Sequence, residues 1–372
     1  MDPRTTKLAD LLVNYSCGVK RGEKLLVQMS GFDALPLMEE ILRIATRKGA
    51  LVYYNILHDS LKRTFLKTAS EDQIKAQKKY PLYLMKDMDC YIGIRGAQNI
   101  AELSDVPTQK SAWYAKHHDI PVHMKTRVPK TRWVVLRYPN NSMAQAAGRP
   151  LSAFEDFYYD VCTLDYAKMS RAMNALKRVM DKADRVQIKA PGTDLRFSIK
   201  GLESVKCDGK LNIPDGECFT APVRDSIEGT VCFNAGSLLE GVTFGDINLT
   251  FHKGKVTKAE SGTETKKLNE VLDRDRGSRY VGEFALGFNP FIHVPMKDIL
   301  FDEKIAGSFH MALGNAYYEC HNGNRSALHW DLVQIQTPKM GGGEIWFDGK
   351  LIRKDGRFVP RPLQGLNPEN LK

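Results

Sequence analysis

No stretch of this sequence approaches the roughly 20 consecutive apolar residues needed to cross a bilayer, so no membrane-spanning segment is expected. The opening Met1-Asp2-Pro3-Arg4 leads into an amphipathic segment, not the apolar stretch of a signal peptide, which argues for a cytoplasmic setting. Cysteine is dispersed: Cys17, Cys90, Cys162, Cys207, Cys218, Cys232 and Cys320 contain no CxxC pair. A disulfide framework or a structural zinc knuckle needs clustered cysteines, so these read as buried thiols in a reducing compartment. Also missing are a Walker-type loop, a GxGxxG turn and a GxSxG elbow, the signatures of phosphate cradles, dinucleotide sites and serine hydrolases. Acids do not balance bases, and the formal net charge is +10. Lys and Arg are nevertheless spread along the chain, with no basic tail, RNP-like aromatic motif or zinc finger. The excess reads as a solvated basic surface, and no specific nucleic acid is expected as a partner.

What is present is an ordinary globular composition, 42% hydrophobic and 26% charged, over a length of 372 residues that suggests two domains. Leu8, Leu11, Leu12 and Tyr15 recur at helical spacing, with Gly18 as a stop. Lys24 to Gln28 reads as a short buried strand, and Leu51 to Ile56, Cys90 to Ile94 and Trp133 to Arg137 read as three more strands. Between them lie helical patterns, one with an apolar stripe of Leu37, Ile41, Leu42 and Ala45 that Asp33 is positioned to cap. Strand and helix in alternation imply an open, doubly wound α/β domain with a mostly parallel sheet, here residues 1–184. After a long helical region, short strands with turn signals follow, including the hairpin turns at Lys253-Gly254 and Asp348-Gly349 and one helix near 264–272. Residues 185–372 therefore read as a mainly β (α+β) domain. His117, His118 and His123 form a local histidine-rich stretch that reads as surface or interface.

The second half concentrates potential metal ligands in four short segments. Pro214-Asp215-Gly216 is a turn from which Glu217 emerges into a strand. Gly282-Glu283 starts a run of small and apolar residues. Asp302-Glu303 is followed by Gly307 and His310, which converge if residues 304–308 form a loop or bulge. His329 and Asp331 are two apart on a strand and so share one face, leaving Trp330 and Leu332 for the core. Carboxylates mixed with imidazoles suit zinc, cobalt or manganese, and a carboxylate can bridge two cations. Taken singly, each of these residues also fits a solvated or core position, and residue types alone leave both uses open.

Four phrases in order carry a resemblance: Pro-Asp-Gly-Glu-Cys-Phe-Thr-Ala-Pro (214–222), Gly-Glu-Phe-Ala-Leu-Gly (282–287), His-Met-Ala-Leu-Gly-Asn-Ala-Tyr (310–317) and Ser-Ala-Leu-His-Trp-Asp (326–331). With Leu11 to Tyr15 and Gly22 to Val27, they resemble the aminopeptidase T family of thermophilic-type metallo-aminopeptidases, which includes the PepS enzymes. The resemblance implies hydrolysis of N-terminal residues from peptides with a free N-terminus, using water activated by two divalent cations (zinc, cobalt, manganese or magnesium). It implies that Glu217 and His310 hold one metal, that Glu283 bridges both, and that Glu303, His329 and Asp331 hold the second. Asp302 competes with Glu303, which sits seven residues before His310 where some relatives have a closer acid. Tyr317 is implied as a donor to the tetrahedral intermediate, Glu283 as a candidate base, and a homodimer as the assembly. Two other readings stand beside this one: a two-metal hydrolase of phosphoesters or other amides, and a basic nucleic-acid-binding or scaffold protein, which rests on the charge alone.

Overall fold

In the first part of the chain, alternating β-branched runs and amphipathic helices produce a five-stranded parallel sheet. In this computed structural model, which describes residues 2–99 and 101–372, the strands lie in the spatial order Leu51–Leu57, Lys24–Ser30, Cys90–Arg95, Arg132–Arg137, Asn212–Ile213. The central strand Cys90–Arg95 is buried through its first five residues, as expected of a parallel strand covered on both faces. Helix Leu35–Arg47 buries Leu37, Met38, Ile41 and Ala45 at i, i+1, i+4 and i+8, one side of the 3.6-residue repeat. Asp33 does not cap it. A 3-10 turn over Phe32–Ala34 precedes the helix, and the Asp33 carboxylate accepts two hydrogen bonds from Gln98 Nε2 instead, at 2.9 and 3.1 Å.

The fifth strand was not anticipated. Asn212–Ile213 lies beyond the expected boundary at residue 184, yet it pairs with Arg132–Arg137. The chain forms two compact units, Met1–Thr163 with Gly209–Pro214, and Leu164–Asp208 with Asp215–Lys372. The expected first domain therefore ends too late. Helix Tyr166–Met180 belongs to the second unit, where it buries Tyr166, Met169, Met173 and Leu176. Helical periodicity continues across residue 163 without a break in composition, so nothing local marks the change of partner.

The second unit contains two large antiparallel sheets and a small two-stranded one, Ser237–Leu239 with Val242–Phe244. One of the large sheets has eight strands, built from hairpins such as Ile247–His252 with Lys255–Ser261. Its turn residues Lys253 and Gly254 both have positive φ, 47° and 76°, the backbone a two-residue hairpin demands. The other has five strands in the order His329–Ile335, Ser308–Gly314, Val281–Gly287, Glu217–Thr220, Val205–Cys207. One face of the five-stranded sheet packs on the eight-stranded one. Phe284 meets Phe197 with ring centroids 5.0 Å apart and Phe309 meets Phe233 at 6.2 Å, while Trp330 meets Phe244 of the small two-stranded sheet at 5.0 Å. Truncating one such ring to alanine removes about 3–5 kcal/mol, so this face is the foundation on which the other face is held rigid.

Candidate metal centre

Strand register alone assembles the centre. In an antiparallel pair, directly opposed residues point to the same face. Asp331 opposes Ala312, and His310 opposes both Val333 and Ala285. Glu283 opposes Ala312, and Gly287 opposes Glu217. Following these pairs with the two-residue side-chain repeat puts Glu217, Glu283, His310, His329 and Asp331 on one face of four adjacent strands. Trp330 and Leu332 point the other way and are 3% and 1% exposed. Gly216 delivers Glu217 to this position: its φ is 134°, and a Cβ there would come within 3.0 Å of the Asn289 Cβ.

The ligand atoms converge. Glu217, Glu283 and His310 each bring one donor atom within 4.8 Å of the others, and so do Glu283, His329 and Asp331. Glu283 faces two imidazoles at once, Oε1 lying 3.4 Å from His310 Nε2 and Oε2 lying 3.3 Å from His329 Nε2. Asp331 Oδ1 is 3.5 Å from His329 Nε2 and 3.8 Å from His310 Nε2. Both rings are oriented from behind by main-chain carbonyls. His329 Nδ1 donates to Asn315 O at 2.8 Å, and His310 Nδ1 donates to Glu303 O at 3.2 Å. That fixes the protons on Nδ1 and turns each Nε2 lone pair toward the carboxylates, the arrangement of metal-ligating histidines.

Carboxylate oxygens facing imidazole lone pairs in a buried site repel unless a cation or a proton lies between them. Glu217 Oε2, His329 Nε2 and Asp331 Oδ1 are three of the seven buried side-chain polar atoms that lack a hydrogen-bond partner among the described residues. Buried polar atoms are almost always partnered, so three such atoms in one cluster of nitrogen and oxygen donors fit a divalent cation. Without one, protons take its place. Burial pushes the imidazoles down, but the surrounding carboxylates outweigh it and hold His310 up at about 10 and His329 up at about 12. Burial pushes Glu217 up to about 8, against the pull of Lys304. A metal displacing these protons would couple binding to proton release.

Two sequence candidates compete for the third segment, and the structure separates them. Glu303 shares a 4.8 Å group with His310 and Asp331. Asp302 instead accepts the Met296 N–H at 2.7 Å and belongs to none of the converging groups among the described residues. Glu303 does not, however, group with His329 as the resemblance implied. Its Oε1 is ion-paired to the adjacent Lys304, whose Nζ also lies 3.5 Å from Glu217 Oε1. Lys304 is completely buried and was not among the sequence candidates. A lysine between an acidic pair and the small residues Ala306 and Gly307 was its only signal. Asn315, which orients His329, was also missed, although it lies inside a recognised phrase. Cys207 approaches Asp215 and Glu217, but burial and the neighbouring acids push its thiol up, so it stays protonated beside the carboxylate ligands. Tyr317 stands against the centre, its ring centroid 4.6 Å from that of His329 and 5.6 Å from that of Phe219. The residue is 44% exposed, but desolvation at its hydroxyl and the Glu283 and Asp331 carboxylates push that hydroxyl up, which keeps it a neutral donor.

The segment entering the His329 strand is pinned by Asp275. Its carboxylate accepts from the Ala327 and Gly277 N–H groups, at 2.7 and 2.8 Å, and from the Ser326 and Ser278 hydroxyls. Burial pushes Asp275 up, but these bonds prevail and lower it from 3.8 to about 2. A depressed folded-state pKa gives stability that is present above the unfolded value and is lost as pH falls through the folded one. Asp275→Asn is therefore expected to cost up to about 2 kcal/mol near neutral pH. The difference from the parent protein should close between about pH 4 and pH 2 in denaturant titrations. A gap that stays constant over that range would contradict this account.

A cleft of about 110 Å3 opens beside His329 and Asp331, lined also by Ser237, Leu238, Lys297 and Trp330.

Residues 1–358 match the family described as thermophilic metalloprotease (M29). Aminopeptidase T of Thermus thermophilus is 25% identical, the match covering 96% of this chain and 97% of the relative. Aminopeptidase 2 of Geobacillus stearothermophilus is 26% identical, with 95% of each covered. Among solved structures, wild-type AmpT from Thermus thermophilus superposes with a TM-score of 0.80 at 21% identity, covering 96% of this chain and 99% of that one. A 2,5-dihydroxypyridine dioxygenase from Pseudomonas putida KT2440 superposes with a TM-score of 0.64 at 14% identity, covering 98% and 99%. The same fold thus carries a peptidase and a dioxygenase, and function is read from the site.

Proposed function

The chain belongs to the thermophilic metalloprotease (M29) family, and on that footing we propose that it is a metal-dependent aminopeptidase that removes N-terminal residues from peptides. The observation that carries this reading is Glu283, a buried carboxylate with one oxygen toward each of two imidazoles and an orphaned Asp331 oxygen beside them. That geometry is compatible with two divalent cations, of which Glu217 and His310 would hold one and His329 and Asp331 the other, with Glu283 placed to reach both. When bound, such cations lower the pKa of a water molecule and polarise the scissile carbonyl.

The chain's own residues supply the rest. Glu283 is the candidate to take the proton of the attacking water, with Glu303, which groups with His310 and Asp331, as its alternative. The Tyr317 hydroxyl, held neutral, is a donor for the oxyanion that develops on the carbonyl oxygen. The carboxylates also provide acceptors for the substrate's free α-ammonium, which restricts cleavage to chain ends. The cleft beside His329 has room for about one side chain.

Finer parts of the proposal concern setting and assembly. The seven cysteines are all free, as a reducing cytoplasm requires. Among the described residues no helix is long and apolar enough to cross a membrane. The edge strand Leu51–Leu57 exposes Leu51, Tyr53, Tyr54, Ile56 and Leu57, an apolar surface of the kind that a second copy of the chain covers.

Dialysis against a chelator is expected to abolish release of nitroaniline from leucyl and arginyl nitroanilides. Adding back zinc, cobalt, manganese or magnesium should restore it with one of these preferred. A preparation that hydrolyses phosphate esters faster than aminoacyl substrates would favour the other hydrolase reading. Activity that survives chelation with no metal left would sink both.

A further inference from the structure

The first unit holds a cavity of about 950 Å3 at the C-terminal ends of its parallel strands. Ser30, Arg95 and Arg137, the last residues of three adjacent strands, stand in register along its floor. Strands Lys24–Ser30 and Cys90–Arg95 are neighbours whose chains leave toward opposite edges of the sheet. In open α/β sheets that reversal leaves a crevice outside the carboxyl ends of the strands, where ligands bind.

One wall comes from the helical segment Ala115–Arg127, which contributes His118, His123 and Arg127. These histidines are not a solvated surface patch, since the His118 side chain is only 13% exposed. Arg127 is 9% exposed, its guanidinium lying 4.4 Å over the Trp133 ring and 5.1 Å from the Tyr91 centroid. Burial lowers its pKa and the Arg95 guanidinium lowers it further, against the opposing effect of the Tyr91 phenol. Arg127 Nε and His123 Nδ1 both lack a hydrogen-bond partner among the described residues. Buried polar atoms are almost always partnered, and here the unpartnered groups include a cation.

Acids also border the cavity. Asp119 is held by His118 Nδ1 at 3.0 Å, and Asp59 and Glu102 lie along the lining. His118, Asp119 and His123 each bring one donor atom within 4.8 Å of the others, a spacing that would also suit a metal. Two guanidiniums beside that trio oppose a cation. Burial, with Arg127 next, already holds His123 down at about 4. Tyr91, Tyr114 and His118 supply flat surfaces, with Tyr114 stacked on His118 at 4.5 Å.

We propose that this cavity is a second ligand site that binds a small organic anion, its carboxylate or phosphate held by Arg95 and Arg127 and its body lying against the aromatic wall. A guanidinium fork matches either anion in a bidentate fashion. The volume suits a metabolite of mononucleotide size.

Isothermal titration of the full-length, metal-loaded protein with inorganic phosphate, adenosine monophosphate and benzoate tests the proposal. Saturable binding is expected for the phosphates or for benzoate, and whichever binds identifies the anion. Affinity should fall at least about tenfold in Arg95→Gln and in Arg127→Gln, and should weaken with added salt. Binding should persist in Glu283→Ala, where the metal centre is disabled. Arg127 packs between aromatic rings and its replacement can unsettle the fold, but Arg95 is exposed and its variant keeps the test decisive. Absence of binding by every probe overturns the proposal, as does affinity unchanged in the folded Arg95 variant. Binding lost only in Glu283→Ala would put the anion at the metal centre and overturn it as well.

Discussion

Glu283→Ala is expected to reduce kcat/KM on aminoacyl substrates at least about a thousandfold, equivalent to about 4 kcal/mol of transition-state stabilisation. Of the six candidate ligands, Glu283 alone engages both histidines, one with each oxygen. Removing it leaves His329 facing Asp331, and His310 facing Asp331 and Glu217, and takes away the group that would join the two cation positions. Metal content should fall with activity. The residue lies on a strand buried throughout, packed by Phe284 and Leu286 on the opposite face, so folding should survive the loss of this carboxylate. Circular dichroism, metal analysis and kinetics on one preparation separate the possibilities. A folded Glu283→Ala protein with near-parental turnover would contradict the assignment.

Lys304→Met carries the second large effect, and it is an effect on stability. The Lys304 ammonium is buried and ion-paired to Glu303, with Glu217 at 3.5 Å. Burial works against its charge, but the two carboxylates dominate and raise its pKa well above the usual value. Removing one partner of a buried ion pair leaves an uncompensated charge, at a cost of about 3–5 kcal/mol. For a unit of this size the melting temperature of the chelated protein should drop by about 10 °C. Added divalent metal should recover part of that loss, because a cation near Glu217 supplies the missing positive charge and binds only the folded state. The measurement is thermal unfolding of parent and variant, each with and without chelator. Equal melting temperatures in chelator would show that Lys304 does not hold the acidic half of the centre together.

How far the sequence discloses this molecule depends on whether the controlling interaction is local. Lys24–Ser30 and Cys90–Arg95 were legible because burial on both faces demands continuous apolar runs, whereas Leu51–Leu57, nowhere buried, and Arg132–Arg137, only partly so, were legible by their β-branched and aromatic residues. The hairpin turns were legible because positive φ selects Gly and its neighbours. Asn212–Ile213 was not, because a two-residue strand has no periodicity and its partner lies more than 70 residues upstream. The change of unit at residue 163 was invisible for a similar reason, since helix Tyr166–Met180 is amphipathic whichever unit it packs against.

The site divides along the same line. His329 and Asp331 announce themselves by two-residue spacing, and Glu217 by its turn. That Glu283 and His310 share their face follows only from register between strands, which no single segment contains. Lys304 was hidden because an isolated lysine reads as solvated by default; its burial is dictated by Glu217, far away in sequence. The orienting carbonyls of Asn315 and Glu303 belong to the main chain, so residue identity says nothing of them.

Crystals grown with zinc, measured on both sides of its absorption edge, offer the most direct test of the convergence of carboxylates and imidazoles on a metal. Anomalous peaks are predicted about 2.0–2.2 Å from oxygen and nitrogen atoms of Glu283, His310, His329 and Asp331. Peaks only elsewhere, or a metal-free centre in protein that still cleaves aminoacyl substrates, would contradict the account.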